Sequence, residues 1–179
     1  MPRRRSLWLV TALALVLVPV LLVQASAGSP KAAKKTSIIV RCKDELKPNR
    51  WFKEGCRFGE DSYKVRSGAT ITINNKSEEP HTFSLVKKSE VPRTLAKAGK
   101  CFEGGACARL SQAHGFPEGE GPPANPLVNV GAAGFDAPGD SVFFDPKSKT
   151  PEQITAKKGQ TLYFICIIHP QMQSRIKVR

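Results

Sequence analysis

The segment TLYFICIIHPQMQSRIKVR, residues 161–179, places two strand-like patterns on either side of a short turn. Both patterns alternate between the two faces of a strand and are rich in β-branched and aromatic residues, which is typical of half-buried β-strands. The turn carries Cys166, His169 and Met172, each separated from the next by two residues. All three side chains can bind a soft metal ion. The segment therefore predicts the last strands of a β-domain, with part of a metal site in the turn between them.

Similar strand-like patterns recur from about Thr36 onward, separated by Gly, Pro or Asn turns. They are SIIV (37–40), YKVRSGATITIN (63–74), HTFSLV (81–86), SVFF (141–144) and EQITA (152–156). Helical periodicity is weak, and only one short helical turn is expected, around residues 93–98. Many short strands without helices between them predict an all-β sandwich or barrel.

Residues 88–141 differ in composition from the rest of the chain. They contain nine of the 14 glycines and six of the 14 prolines, which favours neither regular strands nor helices. We therefore predict a long irregular insertion that lies over one end of the sandwich. Its histidine, His114, is expected to be a solvated loop residue. Its basic residues Lys97, Lys100 and Arg109 are candidates for contact with an acidic partner.

The N-terminus has the pattern of a secretory signal. Three arginines at positions 3–5 precede an apolar run from Leu7 to Val23, and the small residues Ala25 and Ala27 follow. The sequence predicts a signal peptide over residues 1–27, a flexible basic tether over 28–36 and the β-domain with the candidate metal site over 37–179. A retained membrane anchor is the alternative, and either reading predicts an extracytoplasmic protein: secreted, periplasmic or attached to the cell envelope.

The formal net charge of +13 includes the three arginines of the expected signal peptide. The other basic residues are scattered among acids, apart from KAAKK at residues 31–35. An exported chain also has little access to nucleic acid, so nucleic acid is not an expected partner. The charge instead indicates attraction to anionic membrane surfaces or to an acidic protein.

Five cysteines leave one without a partner if the others form disulfides. The simplest of three connectivities pairs Cys42 with Cys56 and Cys101 with Cys107, and the sequence alone does not choose among them. Cys166 is then left over. An unpaired thiol outside the cytoplasm is exposed to oxidation unless a metal occupies it.

Another ligand must come from elsewhere in the chain. Of the two remaining histidines, His81 is the better candidate, because Pro80 restrains the backbone just before it at the start of a strand. Two imidazoles, a thiolate and a thioether form the His₂Cys set with a weak axial Met that blue-copper sites use. Zinc would be expected to recruit more Cys or His and no Met. The predicted metal ligands are His81, Cys166, His169 and Met172, for one copper ion.

The ligand motifs resemble those of cupredoxins, specifically the group of plastocyanin, pseudoazurin and amicyanin. The matching stretches are TITINN with Pro80-His81 downstream, and YFICIIHPQM followed by SRIKV. They cover residues 60–87 and 141–179, and the Cys-x-x-His-x-x-Met spacing is especially similar to amicyanin. Thr82 stands where the group often has Asn, and Ser174 where it often has Gly. The resemblance implies a Greek-key β-sandwich and a type 1 copper site.

The resemblance also implies an electron carrier that cycles between Cu(I) and Cu(II). His169 would be the electron port, within an apolar surface patch to which Ile167, Ile168 and Pro170 contribute. We expect redox partner proteins, a monomeric chain and no enzymatic activity, because three histidines are too few for the extra centres of a multicopper oxidase. The alternative is an extracytoplasmic protein that binds or handles copper without rapid electron transfer.

Overall fold

The computed structural model describes residues 36–53, 55–117 and 121–179. The strands are β1 (Thr36–Arg41), β2 (Glu45–Lys47), β3 (Trp51–Lys53), β4 (Arg57–Phe58), β5 (Ser62–Val65), β6 (Thr70–Asn75), β7 (His81–Val86), β8 (Leu127–Val128), β9 (Ser141–Phe144), β10 (Lys149–Gln153), β11 (Thr161–Ile165) and β12 (Gln173–Val178). The helices are α1 (Leu95–Phe102) and α2 (Ala106–His114), with a 3-10 turn at Lys88–Glu90. The expected signal peptide lies outside the described residues, and so does the expected tether except for Thr36, which begins β1.

Two sheets pack face to face around one core. The first has the strand order β10-β6-β1-β4, the second has the order β5-β12-β11-β7-β9-β8, and β2 and β3 form a separate hairpin. Most neighbouring strands are antiparallel, but β1 pairs with β6 and β5 pairs with β12 in parallel. Both sheets contribute to the same buried cluster. The predicted all-β sandwich is confirmed.

Alternation along the strands builds this core, as the sequence predicts. In β6 the side chains of Ile71 and Ile73 are fully buried, and the intervening Thr72 is only half-buried. In β12, Ile176 and Val178 point inward and Lys177 lies at the surface. Burying each such aliphatic side chain contributes about 1.5–3 kcal/mol relative to leaving it in water. The pattern therefore fixes which face of each strand meets the other sheet.

Four phenylalanines form the centre of the core. The rings of Phe83 and Phe164 are stacked with centroids 3.9 Å apart, and this pair joins β7 to β11. The ring of Phe58 meets Phe83 edge-on at 5.0 Å. The ring of Phe135 meets Phe164 edge-on at 5.2 Å. Phe135 belongs to the segment 88–141, so this segment contributes to the main core as well as lying outside it.

The segment 88–141 is more regular than its composition predicts. It contains α1, α2 and β8, where an irregular loop with one helical turn was expected. The side chain of Thr94 caps α1 by accepting a hydrogen bond from the Lys97 N–H. Gly115 ends α2 with a φ of 64°, in the left-handed region that glycine adopts without strain. Local capping residues at the helix ends thus compensate for the many glycines.

The two helices cover the outer face of the six-stranded sheet. Buried residues from the helices and from β7 and β11 form a second cluster: Val86, Val91, Cys101, Ala106, Cys107, Leu110, Ile165 and Ile167. All six residues of β7 are consequently buried, although an exposed strand face would have been polar. The helices α1 and α2 therefore form a third layer over β7 and β11.

The buried carboxylate of Asp140 orders the end of the same segment. It accepts hydrogen bonds from the backbone N–H groups of Val130, Asp136 and Ala137, at 2.7, 2.9 and 2.8 Å. A carboxylate that receives several backbone N–H groups offsets the cost of burying its charge. This contact returns the chain to β9 in a defined position.

The disulfides are those that the simplest pairing predicts. Cys42 is bonded to Cys56, and Cys101 is bonded to Cys107. The first joins the end of β1 to the start of β4, and the second joins α1 to α2. Cys166 has a free, buried thiol. No helix in the described part of the chain combines the length and the apolar character that crossing a bilayer requires.

Replacing Phe135 by Ala is expected to lower the free energy of unfolding by about 3–5 kcal/mol, because it opens a cavity beside the rings of Phe83 and Phe164. Phe102→Ala is the matched control, since half of that ring is exposed on α1, and it should cost about 0.5 kcal/mol or less. Urea denaturation of the metal-free protein measures both. Equal effects of the two substitutions would contradict a role of residues 88–141 in the main core.

Candidate metal centre

His81 reaches the site from the first residue of β7. Pro80 precedes His81 in the chain. The imidazole of His81 is fully buried. Its Nδ1 atom lies 3.0 Å from Nδ1 of His169 and 3.8 Å from Sγ of Cys166. The structure thus brings together one residue of β7 and two of the β11–β12 turn, which are more than 80 positions away in sequence.

The turn between β11 and β12 holds the other candidates. Cys166 directly follows β11, and its N–H donates to the carbonyl of Met172 at 3.0 Å. The N–H of Met172 donates to the carbonyl of His169 at 2.8 Å. These two bonds close the turn, so that Cys166 and Met172 face each other across its base and His169 lies at its tip. Because only two residues separate Cys166 from His169 and His169 from Met172, the three side chains lie close together.

Three donor atoms form a triangle of the size that a metal ion needs. Besides the two distances given for His81, Sγ of Cys166 lies 3.9 Å from Nδ1 of His169. A point equidistant from all three atoms, in their plane, is about 2.1 Å from each, close to usual metal–imidazole and metal–thiolate bond lengths. Among the described residues, His81, Cys166 and His169 are also a group whose potential ligand atoms lie within 4.8 Å of one another. The residues present fit a single small cation.

Met172 is buried beside this triangle. Its side chain is 0% exposed and belongs to the same core cluster as Cys166. Its backbone pairing with Cys166 places it at the base of the turn, as described above. The position suits a fourth, weak ligand, and the thioether remains a predicted ligand.

Hydrogen bonds on the far side of each ring determine which nitrogen can bind a metal. Nε2 of His81 lies 2.9 Å from Oγ of Ser77. Ser77 in turn donates from Oγ to Oδ1 of Asn75 at 2.7 Å, so its oxygen accepts from the imidazole. The proton of neutral His81 is therefore held on Nε2, and the lone pair of Nδ1 points toward Cys166.

His169 has an equivalent partner on its outer edge. Its Nε2 lies 3.3 Å from Oε2 of Glu79, with 16% of the histidine side chain and 42% of the glutamate side chain exposed. A carboxylate that accepts from Nε2 keeps the proton there, so that Nδ1 carries the lone pair that can bind a metal. Glu79 was missed in the sequence, where the only signal is its position two residues before His81.

The Cys166 thiol is prepared for a cation by its surroundings. Burial raises the pKa of this thiol, while hydrogen bonds oppose the rise, the first of them from the Thr82 N–H at 3.4 Å. The N–H groups of His169 and Ile168 act in the same direction. A bound cation would supply the remaining stabilisation of the thiolate, because a coordinating thiol loses its proton.

A second group of potential ligands lies next to the first. It consists of Cys42, Cys56, Glu79 and His81, but both cysteines are joined in a disulfide and offer no thiolate. Sγ of Cys42 lies 3.5 Å from Nε2 of His81, so the disulfide packs against the ring. Its role here is to confine the imidazole rather than to bind metal.

Two expectations about the surroundings of the site are wrong. His114 is fully buried at the end of α2, where it was expected to be a solvated loop residue. Ile167 and Pro170 are buried as well, and Ile168 is half-buried, so little of the expected apolar surface patch around His169 is exposed. Ile167 is buried by the layer of α1 and α2, which packs on β7 and β11. The ring of His114 is held inside by hydrogen bonds with Asn125 and Ser141.

The basic residues of the insertion differ from one another. Arg109 forms an ion pair with Glu90, so its charge is already compensated. Lys97 and Lys100 lie at the surface of α1. All three cations that were expected to meet an acidic partner are exposed, and they differ in that Arg109 is paired with Glu90.

Comparisons with known proteins find likenesses in structure alone. No protein-family model matches the sequence, and no curated protein matches it. A purple cupredoxin from Nitrosopumilus maritimus has 10% identity and a TM-score of 0.43, covering 81% of this chain and 100% of the other. Auracyanin A, described as a "blue" copper protein from Chloroflexus aurantiacus, has 19% identity and a TM-score of 0.43, covering 82% and 100%.

A mutant of amicyanin in its Cu(I) form is also similar, with 11% identity and a TM-score of 0.41, covering 83% of this chain and 87% of the other. The solved structures that the chain resembles thus include cupredoxins, the class that its ligand motifs resemble. At these identities and TM-scores the likeness assigns neither a metal nor an activity to this chain.

The metal-free protein is expected to lose stability as the pH falls from about 6.5 to about 4. Burial, and then the charge of His169, lower the pKa of His81 from 6.5 to about 4, so the unfolded chain takes up this proton first. Neutral His81 contributes about 3 kcal/mol to the free energy of unfolding above pH 6.5. This contribution is lost as the pH falls to about 4.

Urea denaturation between pH 4 and pH 7, with a chelator present, measures this loss. The control is His81→Gln, which should flatten the pH dependence; the part that remains would come from other groups such as His114, whose pKa is also lowered by burial. An identical pH profile in the variant would contradict the assignment to His81.

Proposed function

We propose that the chain binds one copper ion and acts as an exported electron carrier. The ligands are Nδ1 of His81, Sγ of Cys166 and Nδ1 of His169, with Met172 as a weak fourth ligand. The observation that carries the proposal is the donor triangle, whose size suits one small cation. Its composition, two imidazoles and one thiolate beside a buried methionine, is the set that blue-copper sites use.

Copper bound there supplies a one-electron couple between Cu(I) and Cu(II). The ligands suit both oxidation states, since thiolate favours Cu(II), thioether favours Cu(I) and imidazole accepts both. The chain holds them in place: the Nε2 protons of His81 and His169 are engaged by Ser77 and Glu79. Ligands that are already oriented need little rearrangement when an electron is transferred, and this makes transfer fast.

The site excludes water at every ligand but one. His81, Cys166 and Met172 are 0% exposed, whereas His169 keeps 16% of its side chain at the surface. The imidazole edge of His169 is therefore the path by which an electron enters or leaves. Glu79 lies at this edge, so a partner protein meets a carboxylate there instead of an open apolar surface.

Copper handling without rapid electron transfer is the second candidate. It is favoured by one observation, the burial of Ile167 and Pro170, which removes much of the apolar surface through which a carrier would meet its partner. The rate of electron self-exchange separates the two functions. A fast rate supports the carrier, and a very slow rate in a protein with an intact copper site supports handling.

Titrating the metal-free protein with Cu(II) is expected to give one bound ion and an intense visible absorption band, from thiolate-to-copper charge transfer. Cys166→Ser should abolish the band, because a hydroxyl does not supply that transition. The control is the double variant Cys101→Ala, Cys107→Ala, which removes a disulfide whose cysteines are not among the proposed ligands and should keep the colour. A blue Cys166→Ser protein would show that the ligand assignment is wrong.

Met172→Gln is expected to retain copper but to lower the reduction potential, since an oxygen donor favours Cu(II) over Cu(I). Cyclic voltammetry of the copper-loaded protein measures the potential. Met172→Leu is the matched control, because it keeps an apolar side chain without a donor atom and should raise the potential. If all three proteins have the same potential, Met172 serves only in packing.

A further inference from the structure

A second group of metal-binding side chains adjoins the donor triangle, and its two cysteines are joined in a disulfide. The potential ligand atoms of Cys42, Cys56, Glu79 and His81 lie within 4.8 Å of one another. Sγ of Cys42 is 3.5 Å from Nε2 of His81, and Sγ of Cys56 is 3.8 Å from Oε2 of Glu79. In the oxidised chain the two sulfur atoms offer no thiolate. Reduction of this one bond supplies two thiols to a group that is already assembled.

The backbone holds the two cysteines together without the disulfide. Strands β1 and β4 are antiparallel, and Arg41 lies opposite Arg57. Cys42 follows Arg41 in the chain, and Cys56 precedes Arg57. The two cysteines therefore occupy the next position along the same ladder, and the pairing of β1 with β4 keeps them opposite each other when the sulfur–sulfur bond is broken.

Glu79 and His81 are held by bonds that involve no sulfur atom. Nδ2 of Asn75 donates to the carbonyl of Glu79 at 2.8 Å and to the carbonyl of Asp145 at 3.0 Å. Oδ1 of Asn75 accepts from the N–H of Ser77 at 3.0 Å. These bonds order the loop that leads into β7, where His81 is fully buried. All four side chains thus stay near their present places after reduction.

The two nitrogens of His81 face different groups. Nδ1 faces Cys166 and His169, whereas Nε2 lies 2.9 Å from Oγ of Ser77 and 3.5 Å from Sγ of Cys42. A cation in the second group takes the place of the proton on Nε2. In a chain without copper this proton moves to Nδ1, which lies 3.0 Å from Nδ1 of His169 and can donate to it. The ring can therefore serve the second group with both nitrogens engaged.

The donor set indicates which ion the second group takes. Two thiolates, one imidazole and one carboxylate are ligands that Zn²⁺ accepts in four-coordinate sites. Cu(I) is selected by soft ligands, among which a carboxylate does not belong. Glu79 keeps 42% of its side chain exposed and Cys42 is half-buried, so an ion reaches the group from solvent.

We propose that reduction of the Cys42–Cys56 disulfide creates a second metal site, for Zn²⁺, whose ligands are Cys42, Cys56, Glu79 and Nε2 of His81. A dithiol reductant supplies two electrons and two protons: the sulfur–sulfur bond breaks, two thiols form, and the dithiol becomes a disulfide. Zn²⁺ then displaces both thiol protons. This site goes beyond the proposed function and forms without copper. Where copper occupies Nδ1, His81 bridges the two ions and releases its Nε2 proton, so the disulfide decides whether His81 serves one metal or two.

The triple variant Cys101→Ala, Cys107→Ala, Cys166→Ser tests the site, because Cys42 and Cys56 are then the only cysteines in the chain. After treatment with dithiothreitol, and its removal without oxygen, the variant should contain two titratable thiols. It should bind one Co²⁺, used as a coloured probe for Zn²⁺, with a thiolate-to-cobalt charge-transfer band and the visible bands of a tetrahedral ion. Zn²⁺ should displace the colour. The untreated variant should show no such band.

Three further substitutions, each added to the triple variant, separate a built site from two thiols that bind alone. Glu79→Gln and His81→Gln should each weaken Co²⁺ binding by about tenfold or more. Glu78→Gln is the matched control and should leave the affinity unchanged, because the side chain of Glu78 is 83% exposed and pairs with Lys147. Unchanged affinity in both Glu79→Gln and His81→Gln would overturn the proposal.

Near-ultraviolet circular dichroism shows whether the reduced triple variant keeps its fold. A folded chain with two free thiols and no cobalt band overturns the proposal. A chain that unfolds on reduction should regain its spectrum with one equivalent of Zn²⁺, since metal binding is then coupled to folding; failure to do so also overturns it. Because this variant lacks the Cys166 thiolate, these results do not bear on the proposed function, which a colourless copper-loaded wild type would refute.

Discussion

The register between β7 and β11 is the constraint on which the site depends. Ser84 pairs with Ile165 and Leu85 with Phe164, while the rings of Phe83 and Phe164 stack at 3.9 Å in the core. This register brings the start of β7, with His81, beside the turn that follows β11. Because successive side chains of a strand point to opposite faces, a slip by one residue would turn His81 away from Cys166 and remove Phe83 from the main core. Core packing and ligand placement therefore stabilise the same alignment.

The segment 88–141 acts as a structural layer rather than as a loop over one end. Its helices bury the outer face of β7 and β11, and its Phe135 joins the aromatic centre. The layer isolates the turn from solvent on the side of Ile167. It also leaves His169 with a small exposed edge next to Glu79, so any partner approaches a mixed surface. The layer of α1 and α2 therefore both shields the site from water and restricts the access of a partner protein to it.

Polar groups inside the sandwich are paired in a way that serves the ligands. Ser77 and Asn75 fix the proton of His81, and Asn75 also donates to the carbonyls of Glu79 and Asp145, which holds the loop before β7. A buried polar group without a partner costs about 1–3 kcal/mol, so such networks tolerate few alternative arrangements. The rigidity that the proposed electron transfer requires is thus built from satisfied hydrogen bonds as well as from apolar packing.

The sequence by itself determined the strands with strong alternation, because these leave a local pattern: β7 and β9 have the predicted bounds. It also predicted the metal ligands, of which Cys166, His169 and Met172 lie in one turn. The cysteine pairing is the simplest of the three connectivities that the sequence left open, and the structure selected it. The tertiary structure decided what depends on distant contacts. The apolar residues of α1 and α2 are few and lie among many glycines, so the helices form where β7 and β11 offer a surface to cover. His114 became a buried residue for the same reason, and Glu79 met His169 only after β7 and the β11–β12 turn had come together.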